Sequence, residues 1–391
     1  MVEDLRSLLS TLDGTGMMVD ECLKAAAESR GLVIFGAGVG GEQLYRLLMD
    51  NGLEDRILAW SDNNHLKFGR WYMDERLRII PPNDLYGKYG GELLILVASS
   101  AFDLIKEQLL GYGFMPENIR LFNFAFMDLK YTDKNFIWDH LTDFQRAYGR
   151  LGDDKSRRIF VNILNYRISK DEAYLKQMNA DVDDEKYQYF DGELFDFRQD
   201  ECFLDIGAYT GDTFGAFYEV YEGAFEDYYG FEADREIYDR FLARIDKEYQ
   251  SSARKCHIYN VAAWDENTEL HFDENPGSSE MRAENGAGNA VAGRKIDEVL
   301  GDRRITFIKM DIEGAEIHAL AGMREIIRKN RPIIAMCVYH RRDDFYKLTD
   351  FVEGLCGGYH FYFRQYRYTP TETVCYAIPG QRLTGGTCLT D

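Results

Sequence analysis

The residues best placed to do chemistry in this chain follow one another at strand-like intervals. The stretch Phe203 to Asp212 reads FLDIGAYTGD, in which a short apolar run delivers Asp205 and breaks into a loop holding Gly207, Ala208, Tyr209 and Gly211. Glycine has no Cβ and tolerates positive φ, so a ligand can approach the backbone of such a turn. A helix start after the loop adds free N–H groups and a positive dipole end. A second acid, Glu232, closes the apolar run YYGF, and a third segment, ITFIKMDIEGAE, ends in Asp311, Glu313 and Gly314. His340 closes PIIAMCVYH. Carboxylates at the second position suit a pair of ribose hydroxyls. Asp311, Glu313 and His340 are candidates for a base, His340 most naturally because an ordinary imidazole titrates near pH ~6.5; local capping and hydrogen bonding by these residues is the alternative.

These groups need a sheet to bring them together. Runs at Phe203, Tyr228, Ile258, Ile305 and Pro332, separated by helical stretches, predict an open α/β sheet whose carboxyl edge gathers Asp205, Glu232, the Ala262 pair, Asp311 and His340 around one crevice. The segments FYFRQYRYT and ETVCYAIP read as antiparallel strands completing a mixed sheet. A single helix is expected over Ala315 to Lys329. The polar segment Asn275 to Asn289 is long enough for a lid.

An acid at the second strand end fits NAD and S-adenosylmethionine alike. The first loop separates them: DIGAYTG lacks GxGxxG spacing and places Asp205 where a pyrophosphate would be repelled and a methionyl ammonium attracted. The ordered segments FLDIGAYTGDTF, YGFEAD, NVAAWD, ITFIKMDIEGAEIHALAGMREII, IIAMCVYH and ETVCYA resemble the FkbM family of class I S-adenosylmethionine-dependent methyltransferases over nearly half the chain. The resemblance implies a seven-stranded mixed sheet, S-adenosyl-L-methionine as cofactor and methyl transfer to an oxygen of a sugar, glycan precursor or secondary metabolite. Carried over by position, Asp205, Gly207, Ala208, Tyr209 and Gly211 would contact the methionyl and ribose part. Glu232 would take the ribose hydroxyls, Asn260, Val261 and Ala262 would lie by the adenine, and Asp311 would border the cofactor.

A second glycine turn lies nearer the start. LVIF leads into Gly36, Gly38 and Gly41, a full GxGxxG, and the next strand, Ile57 to Trp60, ends at Asp62. This predicts a small doubly wound, Rossmann-like domain. It reads either as a dinucleotide or sugar-nucleotide site with Asp62 on a ribose, which would suit an NAD-dependent oxidoreductase or a sugar-nucleotide-binding or oligomerisation module, or as a turn kept for helix–sheet packing. The expected organisation is therefore an α/β chain of two Rossmann-like domains, residues 1–123 and 186–391, joined by a helical segment over 124–185 in which Ile159, Ile163, Leu164 and Tyr166 share one face.

Composition limits the partners. Against 46 Lys and Arg stand 67 Asp and Glu, a net charge of −21, which disfavours nucleic acid and anionic lipid. The expected partner is a small-molecule or glycan acceptor, with a homo-oligomer compatible with the sequence. The first residues, MVEDLRSLLSTLDG, lack the basic and apolar regions of a signal peptide, and no apolar run approaches the ~18 residues of a membrane span. The 7 cysteines form no CxxC pair, the pattern of reduced thiols in a cytoplasmic protein. Asp311 and Glu313 with a third acid could hold Mg²⁺, but two carboxylates one residue apart do not make a site, and no metal is expected.

Overall fold

The computed structural model describes residues 4–12, 14–99, 102–122, 134–171, 173–178, 181, 183, 185–272, 281–282, 290–367 and 371–384. The expected lid and the expected boundary at residue 123 fall outside them, the lid except for residues 281 and 282. The described residues form two compact units, one within 12–133 and one that joins residues 4–11 to the chain from 134 onward.

The first unit is built on β1 (Leu32–Phe35), β2 (Ile57–Ser61), β3 (Trp71–Tyr72), β4 (Asp74–Ile80), β5 (Leu94–Val97) and β6 (Ile119–Leu121), in the order β3-β4-β2-β1-β5-β6. Five of these run parallel and β3 turns back on β4. All four β1 residues are buried because helices cover both faces. Leu32 and Ile34 pack into one core layer, Val33 and Phe35 into the other.

The second unit carries β7 (Cys202–Ile206), β8 (Asp227–Phe231), β9 (Cys256–Tyr259), β10 (Ala262–Ala263), β11 (Thr268–Phe272), β12 (Met281–Arg282), β13 (Ala290–Arg294), β14 (Phe307–Met310), β15 (Ile333–Cys337), β16 (Tyr359–Gln365) and β17 (Thr373–Pro379). Seven form a mixed sheet in the order β16-β17-β15-β14-β7-β8-β9, with β17 antiparallel to both neighbours. The chain leaves β7 towards β8 on one side and later returns to β14 on the other, so the switch point lies between β7 and β14. The remaining four make a small sheet, β10-β13-β11-β12, that the sequence pattern did not announce. Its strands are two to five residues long and carry no sustained alternation.

Aromatic side chains fill the layer beneath the large sheet. Phe203 stacks near Phe217 and Phe307, with ring centroids 4.6 and 5.1 Å apart. The helix expected over Ala315 to Lys329 is two, Glu316–Gly322 and Arg324–Asn330, because a Cβ on Gly322 would stand 1.9 Å from the Trp264 carbonyl oxygen and the chain turns there at Met323.

The helices Lys134–Asp139, Leu141–Gly149, Asp154–Ser169 and Ala173–Gln177 belong to this second unit rather than to a separate joint. Ile159, Ile163, Leu164 and Tyr166 are buried as expected, and so are the polar Asn165 and Arg167 of the same helix. The short helix Leu5–Leu8 joins them: the Leu5 N–H donates to Gln145 Oε1 at 2.5 Å, and Asn165 both accepts from Ser10 N–H and donates to the Leu8 carbonyl. The first residues therefore pack with the C-terminal unit, where the sequence reading placed them with the first domain.

Candidate functional site

Each strand flanking the switch point ends in a residue of the expected set. Gly207 follows β7 with φ +80°, and a Cβ there would come within 2.0 Å of the Asp311 carbonyl oxygen. Two strand ends thus meet backbone to backbone, which only glycine permits. The Gly207 and Ala208 N–H groups share the Phe231 carbonyl, and Gly211, φ +79°, begins the helix Asp212–Val220. Tyr209 between them also has positive φ, +47°, and half of its surface is exposed.

Glu232, one residue beyond β8, closes over this loop. Its Oε2 accepts the Tyr209 N–H at 2.9 Å and its Oε1 the Asp234 N–H at 2.8 Å. Each oxygen keeps a further lone pair for a hydroxyl. Burial raises its pKa above the ordinary glutamate value, against those two N–H bonds. Asn260 completes the wall, donating to the carbonyls of Glu232 and Ala233, both at 3.0 Å; Val261 is half-buried and Ala262 buried beside it.

Asp205 differs from its expected role. Its side chain is fully buried on β7 and does not face a ligand. The Tyr228 hydroxyl donates to Oδ2 at 2.7 Å, and the Lys309 ammonium stands 3.1 Å from Oδ1 without an aligned hydrogen bond. Burial pushes Asp205 upward while Lys309 opposes the shift. The attraction for a methionyl ammonium read into this carboxylate is already spent on Lys309.

The far side of the crevice is a polar chain. Tyr189, buried and at φ +72°, donates to Asp311 Oδ2 at 3.2 Å, and Gln188 donates to Glu372 and to the Tyr189 oxygen. Asp311, whose side chain is 30% exposed, has His340 Nε2 3.4 Å from its other oxygen; Glu313 Oε2 lies 3.8 Å from the same nitrogen. His340 Nδ1 meets Glu316 Oε1 at 2.8 Å. Burial works against a charge on His340, but Glu316 first, then Asp311 and Glu313, outweigh it and raise the imidazole to about 10. These carboxylates favour the charged imidazole, the form that does not accept a proton. Glu313, 56% exposed at φ +55°, is a rim residue.

The raised His340 pKa has a consequence for stability. Protonation stabilises the fold fully below the unfolded value near ~6.5, and that contribution is lost as pH rises towards the folded value of about 10. Asp344, raised to about 8 by burial and by Glu316, acts with the same sign from the ordinary aspartate range upward. Unfolding free energy measured in urea should fall between pH 7 and pH 10, by up to roughly 1.4 kcal/mol per unit from His340. In His340→Gln the fall should be shallower; parallel profiles would show that His340 is neutral in the native protein.

Several of these residues were not anticipated: Tyr189, Tyr228, Lys309, Glu316 and Glu372. Lys309 was the legible one, because a lysine inside the apolar run ITFIKM needs a buried acid on a neighbouring strand, and Asp205 is its register partner. The others depend on long-range packing.

In the first unit, Gly36 (φ +113°) lies 2.6 Å, by its missing Cβ, from the Ala98 carbonyl oxygen, and Gly41 lies 2.0 Å from the Gly36 carbonyl oxygen and 2.6 Å from Trp60. Asp62 is engaged internally, accepting from Ala37 N–H, Asn64 N–H and the Lys67 ammonium at 2.8 to 3.0 Å. These contacts match the helix–sheet packing alternative, and Asp62 Oδ2 is already shared by the Ala37 N–H and Lys67.

Residues 205–368 match the family model described as the methyltransferase FkbM domain. Among solved structures, methyltransferase FkbM from Methylobacillus flagellatus KT superposes with a TM-score of 0.65 at 22% identity, over 93% of this chain and 100% of that one. A putative rRNA methylase from Clostridium thermocellum aligns at 9% identity over 53% of this chain and 94% of its own, with a TM-score of 0.31. A precorrin-6y C5,15-methyltransferase from Geobacter metallireducens GS-15 aligns at 12% over 50% and 85%, also at 0.31. No curated protein matches the chain. Among the described residues no helix is long and apolar enough to cross a membrane. Glu232, Asn260, Asp311 and His340 thus all lie within residues 205–368, the part of this chain that matches the methyltransferase FkbM domain.

Proposed function

We propose that the chain is an S-adenosyl-L-methionine-dependent O-methyltransferase acting on a hydroxyl of a sugar, glycan precursor or secondary metabolite. The observation that carries this reading is Glu232, held by two backbone N–H groups over a loop whose Gly207 lets the ends of β7 and β14 meet. The residues fit the cofactor: Glu232 for the ribose hydroxyls, the Gly207–Gly211 loop for the methionyl part, and Asn260 to Ala262 for the adenine. When bound, that cofactor supplies a methyl group on a positively charged sulfur, open to in-line attack by an oxygen.

The chain's own residues align the acceptor and manage its proton. Asp311 orients the acceptor hydroxyl and takes its proton, with Tyr189 and His340 fixing the two carboxylate oxygens. His340 Nε2, 3.4 Å from Oδ1, helps to direct the Asp311 carboxylate. Calorimetric titration with S-adenosylhomocysteine should give saturable binding, and its absence at high protein concentration would defeat the proposal. Glu232→Ala should weaken that binding by roughly ten- to a hundredfold, on the order of 1.5–3 kcal/mol for hydrogen bonds to a charged group.

A further inference from the structure

Lys309 has no part in that chemistry, yet it stands at the switch point between β7 and β14. Its side chain is 3% exposed. From β14 the ammonium reaches across to β7, pairs with Asp205 at 3.1 Å and donates to the Gly207 carbonyl at 2.8 Å. It also lies 5.4 Å from the centre of the Tyr189 ring, whose hydroxyl holds Asp311. One buried cation therefore touches the first residue of the cofactor loop and the tyrosine that orients the candidate proton acceptor.

We propose that Lys309 is a positioning residue that sets the conformation of the Gly207–Gly211 loop for cofactor binding, acting through the Gly207 carbonyl and the Asp205 carboxylate. A fold-stabilising ion pair alone would not need the third contact. Holding the Gly207 carbonyl fixes the peptide plane between Gly207 and Ala208, and hence the direction of the Ala208 N–H towards Phe231 and the entry into the turn at Tyr209. Asp205 is the necessary companion: it balances the charge of a lysine removed from water, and Tyr228 satisfies its other oxygen. This inference rests on the reading of the crevice as an S-adenosyl cofactor site.

The test uses the full-length chain, S-adenosylhomocysteine and calorimetry, with thermal melting in parallel. Lys309→Met leaves Asp205 buried without a counter-charge, so a lower melting temperature is expected together with at least tenfold weaker binding. The decisive variant is Asp205→Asn with Lys309→Met, which removes both charges and keeps a partner for Tyr228. It should recover most of the melting temperature and remain at least tenfold weaker for S-adenosylhomocysteine. Recovery of wild-type affinity in the double variant, or unchanged affinity in either, would overturn the positioning role and leave the cofactor reading intact. Should the wild-type chain itself fail to bind S-adenosylhomocysteine, both fall together.

Discussion

Gly207→Ala is expected to destabilise the protein by about 2–5 kcal/mol and to abolish binding of S-adenosylhomocysteine. Two effects add. At φ +80° an alanine pays the left-handed penalty of about 1–2 kcal/mol. Its Cβ would also stand 2.0 Å from the Asp311 carbonyl oxygen, so β7 and β14 must separate at their ends, an overpacking effect of about 1–3 kcal/mol. Gly301 is the control: its φ is +58° and a Cβ there meets nothing within 4 Å, so Gly301→Ala should show only the conformational part. Urea denaturation of both variants separates the two effects. Equal losses would mean that the approach of the strand ends is not rigid.

Arg364→Met should cost about 3–5 kcal/mol, the effect of stranding buried acids without their cation. The guanidinium is 3% exposed on β16, 3.1 Å from Asp191 and 2.7 Å from Asp153, and it also donates to Ser156 and to the Phe363 carbonyl. Asp153 caps the helix Asp154–Ser169, so this one side chain joins the helical layer to the sheet. Burial opposes ionisation of Asp153, but Arg364 prevails and holds its pKa below the usual range. The stability Asp153 supplies is therefore in place above the ordinary value near ~3.9 and is lost as pH falls through the depressed one. Equilibrium unfolding at pH 7 measures the loss. Restoration by Asp153→Asn with Asp191→Asn in the same chain would identify the stranded carboxylates as its cause, whereas a loss below about 1 kcal/mol would show that the pairs are incidental.

The architecture was legible because parallel strands buried on both faces leave continuous apolar runs, and the polar residues closing those runs mark the carboxyl edge. LVIF, CFLDI and FIKM announced β1, β7 and β14 in this way. Glu232 and Asp311 were legible as strand-end acids. What the pattern could not distinguish was a carboxylate facing the crevice from one facing the layer behind it. Asp205 and Asp62 are both strand-end acids beside glycine turns, and each is committed to a lysine, Lys309 in one case and Lys67 in the other. The partner of Asp205 lies 104 residues away in sequence, and the register of β7 against β14 brings the two together. The same applies to His340, whose ordinary pKa suggested a base until three carboxylates from one loop and helix start, Asp311, Glu313 and Glu316, were found around it.

The pairing of Leu5 and Ser10 with Gln145 and Asn165 bears on how the protein is made. The helix Leu5–Leu8 has its partner 140 residues downstream. At about 5–20 residues per second it must wait roughly 7–28 s before it can dock. Leu5 and Leu9, both buried in the finished protein, are exposed to solvent or to chaperones throughout that interval. A fragment begun after residue 122 in order to isolate the methyltransferase domain would lack both leucines, and would be expected to express poorly unless residues 4–11 were grafted back onto it.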